Sequence, residues 1–328
     1  MKIGLDWRIV TPEQVQKQAE MLANRVRKTH RQIQPRFERR GIGAFRLYDR
    51  DIPEIRVVMD WYEGHLVCAE YTRTQTQTVP DYLGTLARAV ATALEVPQER
   101  LHLKERRTRP VTGQRYERLA RSGERLEVRE GKLRFLVNLD DYVDTGLFLD
   151  HRETRAQVGA EAAGRTFLNV YGYTGSFTCY AAAGGATSTT TVDASGNYLD
   201  WARANLSLNG LPEAHNELIR AEVRSFLADT RRRGKRFDLV VVDPPSFSDR
   251  GPSHAGFDVQ EDHVALLEEI LAVTAPGGIV YFSTNHQRFE PHLDRLRVTA
   301  CDDITEKTLP EDFRNRTVHR AWRLVAPG

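Results

Sequence analysis

The chain has 328 residues, 40% of them apolar and 28% charged, with 47 Lys/Arg against 45 Asp/Glu and three cysteines. That length admits two domains with a sizeable core, and the balance excludes disordered, collagenous and disulfide-stapled classes. No apolar run approaches the roughly 18 residues of a membrane span, Asp6 and Arg8 interrupt any signal-peptide core, and Cys68, Cys179 and Cys301 are scattered without a CxxC, so a cytoplasmic protein with three reduced, buried thiols and no metal site is expected.

The near-neutral total conceals an asymmetry. Residues 1–50 carry 12 Lys/Arg against 5 Asp/Glu and residues 102–135 carry 11 against 5, whereas residues 136–328 carry 20 against 27. Two basic N-terminal segments are the electrostatic footprint of a polyanion partner, because bases without neighbouring acids form few i,i+4 pairs and repel one another. Thr11-Pro12-Glu13 reads as an N-cap followed by proline at the first helical position. Val15, Ala19, Leu22 and Val26 then recur at helical spacing, leaving Lys17, Arg25, Lys28 and Arg31 off the apolar stripe and available to phosphate. Residues 1–40 are therefore read as a basic helical segment.

From Phe45 the period changes. FRLYDRD and EIRVVMDWYEGHLVCAEY alternate or run apolar, with Glu63-Gly64 as a hairpin turn, and a helix over 80–94 and a strand over 101–104 complete a small α+β domain at 41–110. Trp61 and Tyr62 beside that turn are of a type that stacks on bases, but core packing is the expected role. A basic arm follows, with Arg106 and Arg107 set to meet nucleic acid. It leads into the hairpin RLEVREGKLRFLVN, turning at Glu130-Gly131, and then DDYVDTGLFLDHRETR, read as a lid or docking strand; these make up 111–150.

The segment GRTFLNVYGYTGS, 164 to 176, has the form of a nucleotide-type cofactor site. Thr166 to Val170 reads as a buried parallel strand, TGS as a tight turn, and Phe177 to Ala183 as a helix whose free N–H groups face that turn. Asp193 closes a second β-branched run, STTTVD, at the distance where a carboxylate takes ribose hydroxyls. Tyr171 and Tyr173 stand where a dinucleotide fold has glycines, which argues for a cofactor without phosphates, such as S-adenosylmethionine. Strands at 166–171, 188–193, 217–221, 238–243 and 278–284 alternate with helices as in a doubly wound parallel sheet, and 296–304 and 318–325 fit a terminal antiparallel pair. Leu199, Ala202 and Leu206 face inward on the helix that stops at Asn209-Gly210, and Asp258 and Glu261 make a capping-box-like start for the helix ending before Pro276-Gly277-Gly278. RRRGKR at 231–236 is expected to be a solvated loop.

DLVVVD runs into DPPSF, at the carboxyl edge where open α/β sheets place ligands. Two consecutive prolines fix φ and remove two donors, so Asp243, Pro244, Pro245 and Phe247 form a rigid face suited to a planar base.

Taken together, FLNVYGYTGS, STTTVDASGNYLDWARANLSLNG, DPPSFS, FDVQEDHVALL and NLDDYVDTGLFLDHR resemble the class I S-adenosylmethionine-dependent RNA methyltransferases. Among these the chain is most similar to the 23S ribosomal RNA guanine-N7 methyltransferases that in many bacteria form the C-terminal half of a bifunctional enzyme. The resemblance covers nearly the whole chain, including the basic N-terminal segment. It implies an α/β, class I (Rossmann-like) methyltransferase domain over 151–328, a doubly wound seven-stranded sheet, preceded by a small α+β RNA-binding domain. It further implies that Asn169, Tyr171, Tyr173, Thr174, Gly175 and Ser176 surround the methionine part of S-adenosylmethionine, Asp193 with Ala194 the ribose, and Glu222 the adenine amino group. Asp243 to Phe247 would face the target base and border the cofactor, with Phe148, Asp150 and Arg152 closing over it. Two departures stand out: Asn169 replaces the acid usual at the end of the first strand, and the sequence has no counterpart of the guanine-N2 half, so that activity is not expected.

Chemistry separates the acceptors. Cytosine C5 needs a Cys thiolate, and none lies in DPPSF or after IVYFSTN. An exocyclic amine needs [DN]PP followed directly by an aromatic residue, and Ser246 intervenes. Guanine N7 has an in-plane lone pair and loses no proton, and its cationic product suits a carboxylate such as Asp243. The expected partner is 23S ribosomal RNA or an assembling large subunit, with no membrane and no metal. A non-catalytic RNA-binding or assembly factor with a vestigial site, a cytosine-C5 or guanine-N2 enzyme, and a small-molecule methyltransferase are the competing readings.

Overall fold

The computed structural model describes residues 10–71, 74–77, 79–106, 122–248 and 256–328. The chain divides into two compact units, Met1–Lys132 with Val137–Thr145, and Leu133–Leu136 with Gly146–Gly328.

In the first unit α1 (Pro12–Arg39) begins at a complete capping box, in which the Thr11 hydroxyl accepts the Gln14 N–H and the Gln14 side chain accepts the Thr11 N–H. Its stripe Val15, Ala19, Leu22, Val26, Ile33 and Phe37 is buried. Strands β1 (Ala44–Asp49), β2 (Val57–Tyr62) and β3 (His65–Tyr71) run antiparallel in sequence order. The fourth, β4 (Leu101–Arg106), lies parallel to β3, and the crossover such a pair requires is supplied by α2 (Thr74–Gln77) and α3 (Tyr82–Ala93). Glu63 and Gly64 both adopt positive φ, +45° and +89°, as a tight two-residue hairpin demands. Trp61 packs on His30 and Phe45, and the Tyr62 hydroxyl meets Thr145 Oγ1 at 3.0 Å, so both serve the core. β5 (Leu126–Glu130) closes the first stretch of this unit, with Gly131 at φ +66°, and β6 (Leu133–Val137) falls largely within the second unit.

In the second unit the elements run α4 (Arg152–Ala160), β7 (Thr166–Val170), α5 (Ser176–Ala183), β8 (Ser188–Asp193), α6 (Gly196–Leu208), β9 (Asn216–Arg220), α7 (Val223–Arg232) and β10 (Phe237–Val242). A short pair, β11 (Phe247–Ser248) with β12 (Phe257–Asp258), precedes α8 (Val259–Leu271) and β13 (Thr274–Thr284), and β14 (Ala300–Asp303), α9 (Thr305–Thr308) and β15 (Arg320–Val325) end the chain. The seven-stranded sheet has the order β14-β15-β13-β10-β7-β8-β9, parallel except for β15, which is antiparallel to both its neighbours. Winding proceeds outward from β7 to β9 and then returns to β10 on the other side of β7. The carboxyl ends of β7 and β10 thus flank the switch point where such sheets bind ligands.

Several sequence expectations change here. The stretch before α4 is not a docking strand: Gly146, at φ +95° with the Trp201 ring where a Cβ would stand, turns the chain, and Leu149–His151 form a 3-10 turn leading into α4. The helix does end before Pro276, at Leu271, but β13 starts at Thr274 instead of residue 278 and absorbs Pro276-Gly277 in a register shift opposite Phe237 and Leu239. The acid that returns to the α8 N-cap is Asp262, not Glu261; it accepts the Asp258 N–H at 2.9 Å. Cys68 and Cys179 are buried, but Cys301 is exposed, since β14 is an edge strand. Residues 231–236 are exposed as expected, though Arg231 and Arg232 belong to the last turn of α7.

Candidate active site

The loop leaving β7 carries three left-handed residues, Tyr171 (φ +56°), Tyr173 (+49°) and Gly175 (+73°). For a tyrosine that conformation costs about 1–2 kcal/mol, so the surroundings must over-determine it. They do: Gly172 N–H donates to the Val192 carbonyl at 3.0 Å, Tyr173 N–H to Asp193 Oδ2 at 2.9 Å, and Gly175 N–H to the Gly172 carbonyl at 2.9 Å. The glycines answer a different need, close approach. A Cβ on Gly172 would lie 2.3 Å from Thr191 Cγ2, and one on Gly175 would lie 2.8 Å from the Ala202 Cβ. Thr174 is fastened at both ends, its hydroxyl donating to the Gly146 carbonyl and its carbonyl accepting the Asn205 amide.

Gly175 is the N-cap of α5 and brings no side chain to cap it. The first N–H groups of α5, beginning at Ser176, therefore face the loop as donors for a carboxylate. Asn169 is buried and spends its amide inward, Nδ2 donating to Thr178 Oγ1 at 3.0 Å, which in turn meets Thr191 Oγ1 at 2.6 Å.

Asp193 ends β8 with both oxygens engaged, Oδ2 by Tyr173 N–H and Oδ1 by Ser195 N–H at 2.8 Å. Burial raises its carboxyl above the ordinary range against the pull of those two N–H groups. Exposed Ala194 follows, and Glu222 caps α7 by accepting the N–H groups of Arg224 and Ser225 at 3.0 and 2.8 Å. Each carboxylate oxygen retains lone pairs for hydroxyl or amino donors. Aromatic walls complete this half: Tyr173 lies against Tyr198 and Phe148, with ring centroids 4.6 and 5.2 Å away, and Tyr171 lies against Phe257 at 6.2 Å.

Beyond β10, Asp243 Oδ1 accepts the Ser283 hydroxyl at 2.7 Å. Pro244 is buried, and Ser246 donates to Asn285 Oδ1 at 2.7 Å, which pins the loop to the end of β13. Phe247 is turned outward, 55% exposed, with the His286 ring edge-on at 5.6 Å.

Asp150 does join the end of β10, through His151 of the segment read as a lid or docking strand and through His319, which the sequence did not single out. His319 Nδ1 lies 3.1 Å from Asp150 Oδ2, and the His151 and His319 rings stack at 4.6 Å with planes 11° apart. His151 Nε2 lies 3.7 Å from Asp150 Oδ2 and 3.6 Å from Asp243 Oδ2. One atom from each of Asp150, His151 and His319 falls within 4.8 Å of the others, the spacing of metal ligands. Near-parallel ring planes, however, prevent both imidazoles from aiming an in-plane lone pair at one ion. Arg152 departs from its expected place: its guanidinium forms a buried pair with Asp312, at 2.8 Å. In the first unit Lys17, Lys28 and Arg31 are exposed on α1, whereas Arg25 pairs with Asp51 at 2.7 Å. Only the backbone of Arg106 is described, and Arg107 lies outside the described residues.

Residues 44–305 match the family model described as S-adenosylmethionine-dependent methyltransferase. The chain belongs to this family. The methyltransferase is 43% identical over 307 residues to the ribosomal RNA large subunit methyltransferase K of Neisseria meningitidis serogroup B, covering 92% of this chain and 86% of that protein. It is 42% identical to the ribosomal RNA large subunit methyltransferase K/L of Methylococcus capsulatus, where it covers 94% of this chain but 43% of the relative. Among solved structures it is similar to a protein of Streptococcus mutans assigned as a SAM-dependent methyltransferase, with a TM-score of 0.75, 20% identity and coverage of 94% and 81%. It is also similar to SMU.776, assigned as a methyltransferase and solved with SAH, with a TM-score of 0.72, 22% identity and coverage of 93% and 82%. At those identities the likeness is one of fold.

S-adenosylmethionine is the family's cofactor, and the donor set fits it. Carboxylates end β8 and cap α7 after β9, an uncapped helix start faces the loop, and tyrosine side chains stand where a pyrophosphate would need bare backbone.

Proposed function

We propose that the methyltransferase transfers a methyl group to N7 of a guanine in 23S ribosomal RNA, free or within an assembling large subunit, in the cytoplasm. The names of the relatives support the RNA, and the chemistry at the end of β10 supports the atom. Asp243 is held by Ser283 beside the exposed Phe247 face, and no cysteine occurs in residues 243–248 or 279–286. Cys179, on α5, is wholly buried and its thiol is pushed up to about 12, so it supplies no thiolate for C5 chemistry. The Asp243 carboxylate is the observation that carries the reading, because an acceptor that becomes a cation needs a fixed negative charge and no base.

Bound S-adenosylmethionine would supply an already activated methyl sulfonium, and such a transfer calls for no metal. In this reading Asp193 holds the ribose hydroxyls, Glu222 the adenine amino group, and the α5 start the methionine carboxylate. Phe148 covers the site from beside Tyr173, and Arg152 acts through its Asp312 pair by fixing the start of α4. Phe247 stacks on the base. N7 lies in a major groove too narrow for side chains, so the guanine must be unpaired or flipped out, with Lys17, Lys28, Arg31 and the arm around Arg106 and Arg107 on the surrounding phosphates. Comparing nucleoside digests of ribosomal RNA from cells with and without the gene tests the reading: 7-methylguanosine should fall, and an unchanged level would reject it.

A further inference from the structure

His151 is buried, and its two nitrogens have opposite surroundings. Nδ1 is enclosed without a hydrogen-bond partner, whereas Nε2 sits between the carboxylates of Asp150 and Asp243 at 3.7 and 3.6 Å. A buried lone pair lacking a donor costs less than a buried N–H facing nothing, and two carboxylates accept only from an N–H, so the Nε2–H tautomer is the one these surroundings select. His319 is set in the complementary way. Its Nδ1–H can donate to Asp150 Oδ2 at 3.1 Å, and its Nε2 lies 3.2 Å from the Thr308 hydroxyl, which also donates to the Ile304 and Thr305 carbonyls. The His319 ring then lies flat against His151 and fixes its plane, while Phe177 meets His151 edge-on at 5.8 Å.

From this geometry, and resting on the reading that Asp243 faces the acceptor base, we infer that His151 is a positioning residue for Asp243. Its neutral Nε2–H lies between two carboxylates that would otherwise repel each other, and so keeps Asp243 in its orientation. The two Nε2–O separations exceed a hydrogen bond by about half an ångström. The charged and titratable groups around His151 are Asp150 on its own turn, Asp243 beyond β10, His319 at the start of β15, and Arg155 on α4. Protonating His151 would neutralise the field that Asp243 offers to the nascent cation, so turnover should fall on the acid side.

The test compares wild type, His151→Gln and His151→Asn as full chains, measuring methyl transfer to protein-free 23S RNA, S-adenosylmethionine affinity and melting temperature. Glutamine places its amide nitrogen where Nε2 lies, and asparagine places it nearer Nδ1. Expected is a loss of about tenfold or more in kcat for His151→Asn, with cofactor affinity and KM for RNA within about threefold, and recovery of most of kcat in His151→Gln. The acid limb of the wild-type kcat profile should move to lower pH in His151→Gln, which cannot protonate. Equal losses in both variants alongside a lowered melting temperature would mark a packing role and overturn the inference, as would full activity in His151→Asn. If His151→Asn does not fold, the pH profiles decide: identical acid limbs in wild type and His151→Gln overturn it. A wild-type protein that binds S-adenosylmethionine and methylates no RNA overturns the proposed function itself, and that result is read without any variant.

Discussion

The backbone N–H of Tyr173 donates to Asp193 Oδ2 at 2.9 Å, so the carboxylate proposed to hold the ribose also fastens the strained loop after β7. In the proposed reading one residue would serve both the shape of the loop and the cofactor. Asp193→Ala should weaken S-adenosylmethionine binding by about 1–3 kcal/mol, the range for a charge-assisted hydrogen bond, with the larger value expected if the loop relaxes as well. Calorimetry giving wild-type affinity in a folded variant would remove Asp193 from the site.

That double duty was half legible. The parallel strands announce themselves because both faces are buried and the residues run apolar or β-branched without interruption, as in FLNV, STTTV and DLVVV. Asp193 and Asp243 follow from standing at the ends of such runs. Tyr171 and Tyr173 stand out in the sequence as departures from a glycine pattern and, through the resemblance, as cofactor neighbours, but nothing local signals their left-handed backbone, which is held where Val192 and Asp193 accept the N–H groups of Gly172 and Tyr173. His319 and Asp312 carry no local signal. They meet Asp150 and Arg152 across separations of 169 and 160 residues, which no periodicity reports.

Gly43 and Glu63 show a close approach in the first unit. A Cβ on Gly43 would lie 1.7 Å from Glu63 Oε1, and that carboxylate takes Arg129 at 2.9 and 3.0 Å through the guanidinium and at 3.0 Å through the backbone N–H. Burial opposes ionisation of Glu63, but the Arg129 bonds outweigh it and hold the carboxyl below its ordinary value. A depressed acid contributes stability above its unfolded pKa that is lost as pH falls through the folded one. Glu63→Gln should thus cost about 1 kcal/mol at neutral pH, a figure discounted for the partly exposed Arg129, and the gap to wild type should close in acid. Gly43→Ala should cost more, because it expels the carboxylate outright. Urea titrations at several pH values check both.

His151 is linked to pH in the same sense, but for a different reason. Burial lowers its pKa against the pull of Asp150 and Asp243, so the folded state binds its proton less readily than the unfolded chain does. Stability linked to it is present above the ordinary histidine value and is lost as pH falls below that value towards the lower folded one. His151→Gln carries no such linkage. Wild type should therefore lose stability relative to His151→Gln between about pH 7 and 5, a window set by the ordinary histidine pKa; parallel melting curves would contradict the assigned direction.

The exposed bases of α1 and its paired arginine should behave differently. Replacing Lys17, Lys28 and Arg31 together by Gln should leave cofactor affinity intact, weaken RNA binding across sequences, and make the salt dependence shallower by about 2–3 in slope, because fewer counterions are released. Arg25→Gln should instead mainly cost stability, since it removes a 2.7 Å ion pair from the 10%-exposed Asp51 carboxylate. Filter binding over a salt series, with melting curves, separates the two effects; an unchanged slope in the triple variant would return these bases to a solvated helix face.

The reaction itself turns on two side chains with opposite prospects. Asp243 is fixed by Ser283 at the end of β10, and Cys179 is sealed in α5 with its thiol pushed up to about 12. If the acceptor is guanine N7, a carboxylate is needed to stabilise the cation and a thiolate is not. Purified protein with S-adenosylmethionine and unmodified 23S RNA should yield 7-methylguanosine, read by mass spectrometry or by the strand scission that N7 methylation permits. Asp243→Ala should lower the rate by about 10²-fold or more, by analogy with removal of one preorganised charge-stabilising group. Asp243→Asn, which keeps an acceptor for Ser283 but not the charge, should be nearly as slow. Cys179→Ser should retain activity, at a modest cost in stability from burying a hydroxyl in an apolar site. Formation of 5-methylcytidine, or loss of transfer in a folded Cys179→Ser variant, would mean that a thiolate acts after all and that N7 is the wrong atom.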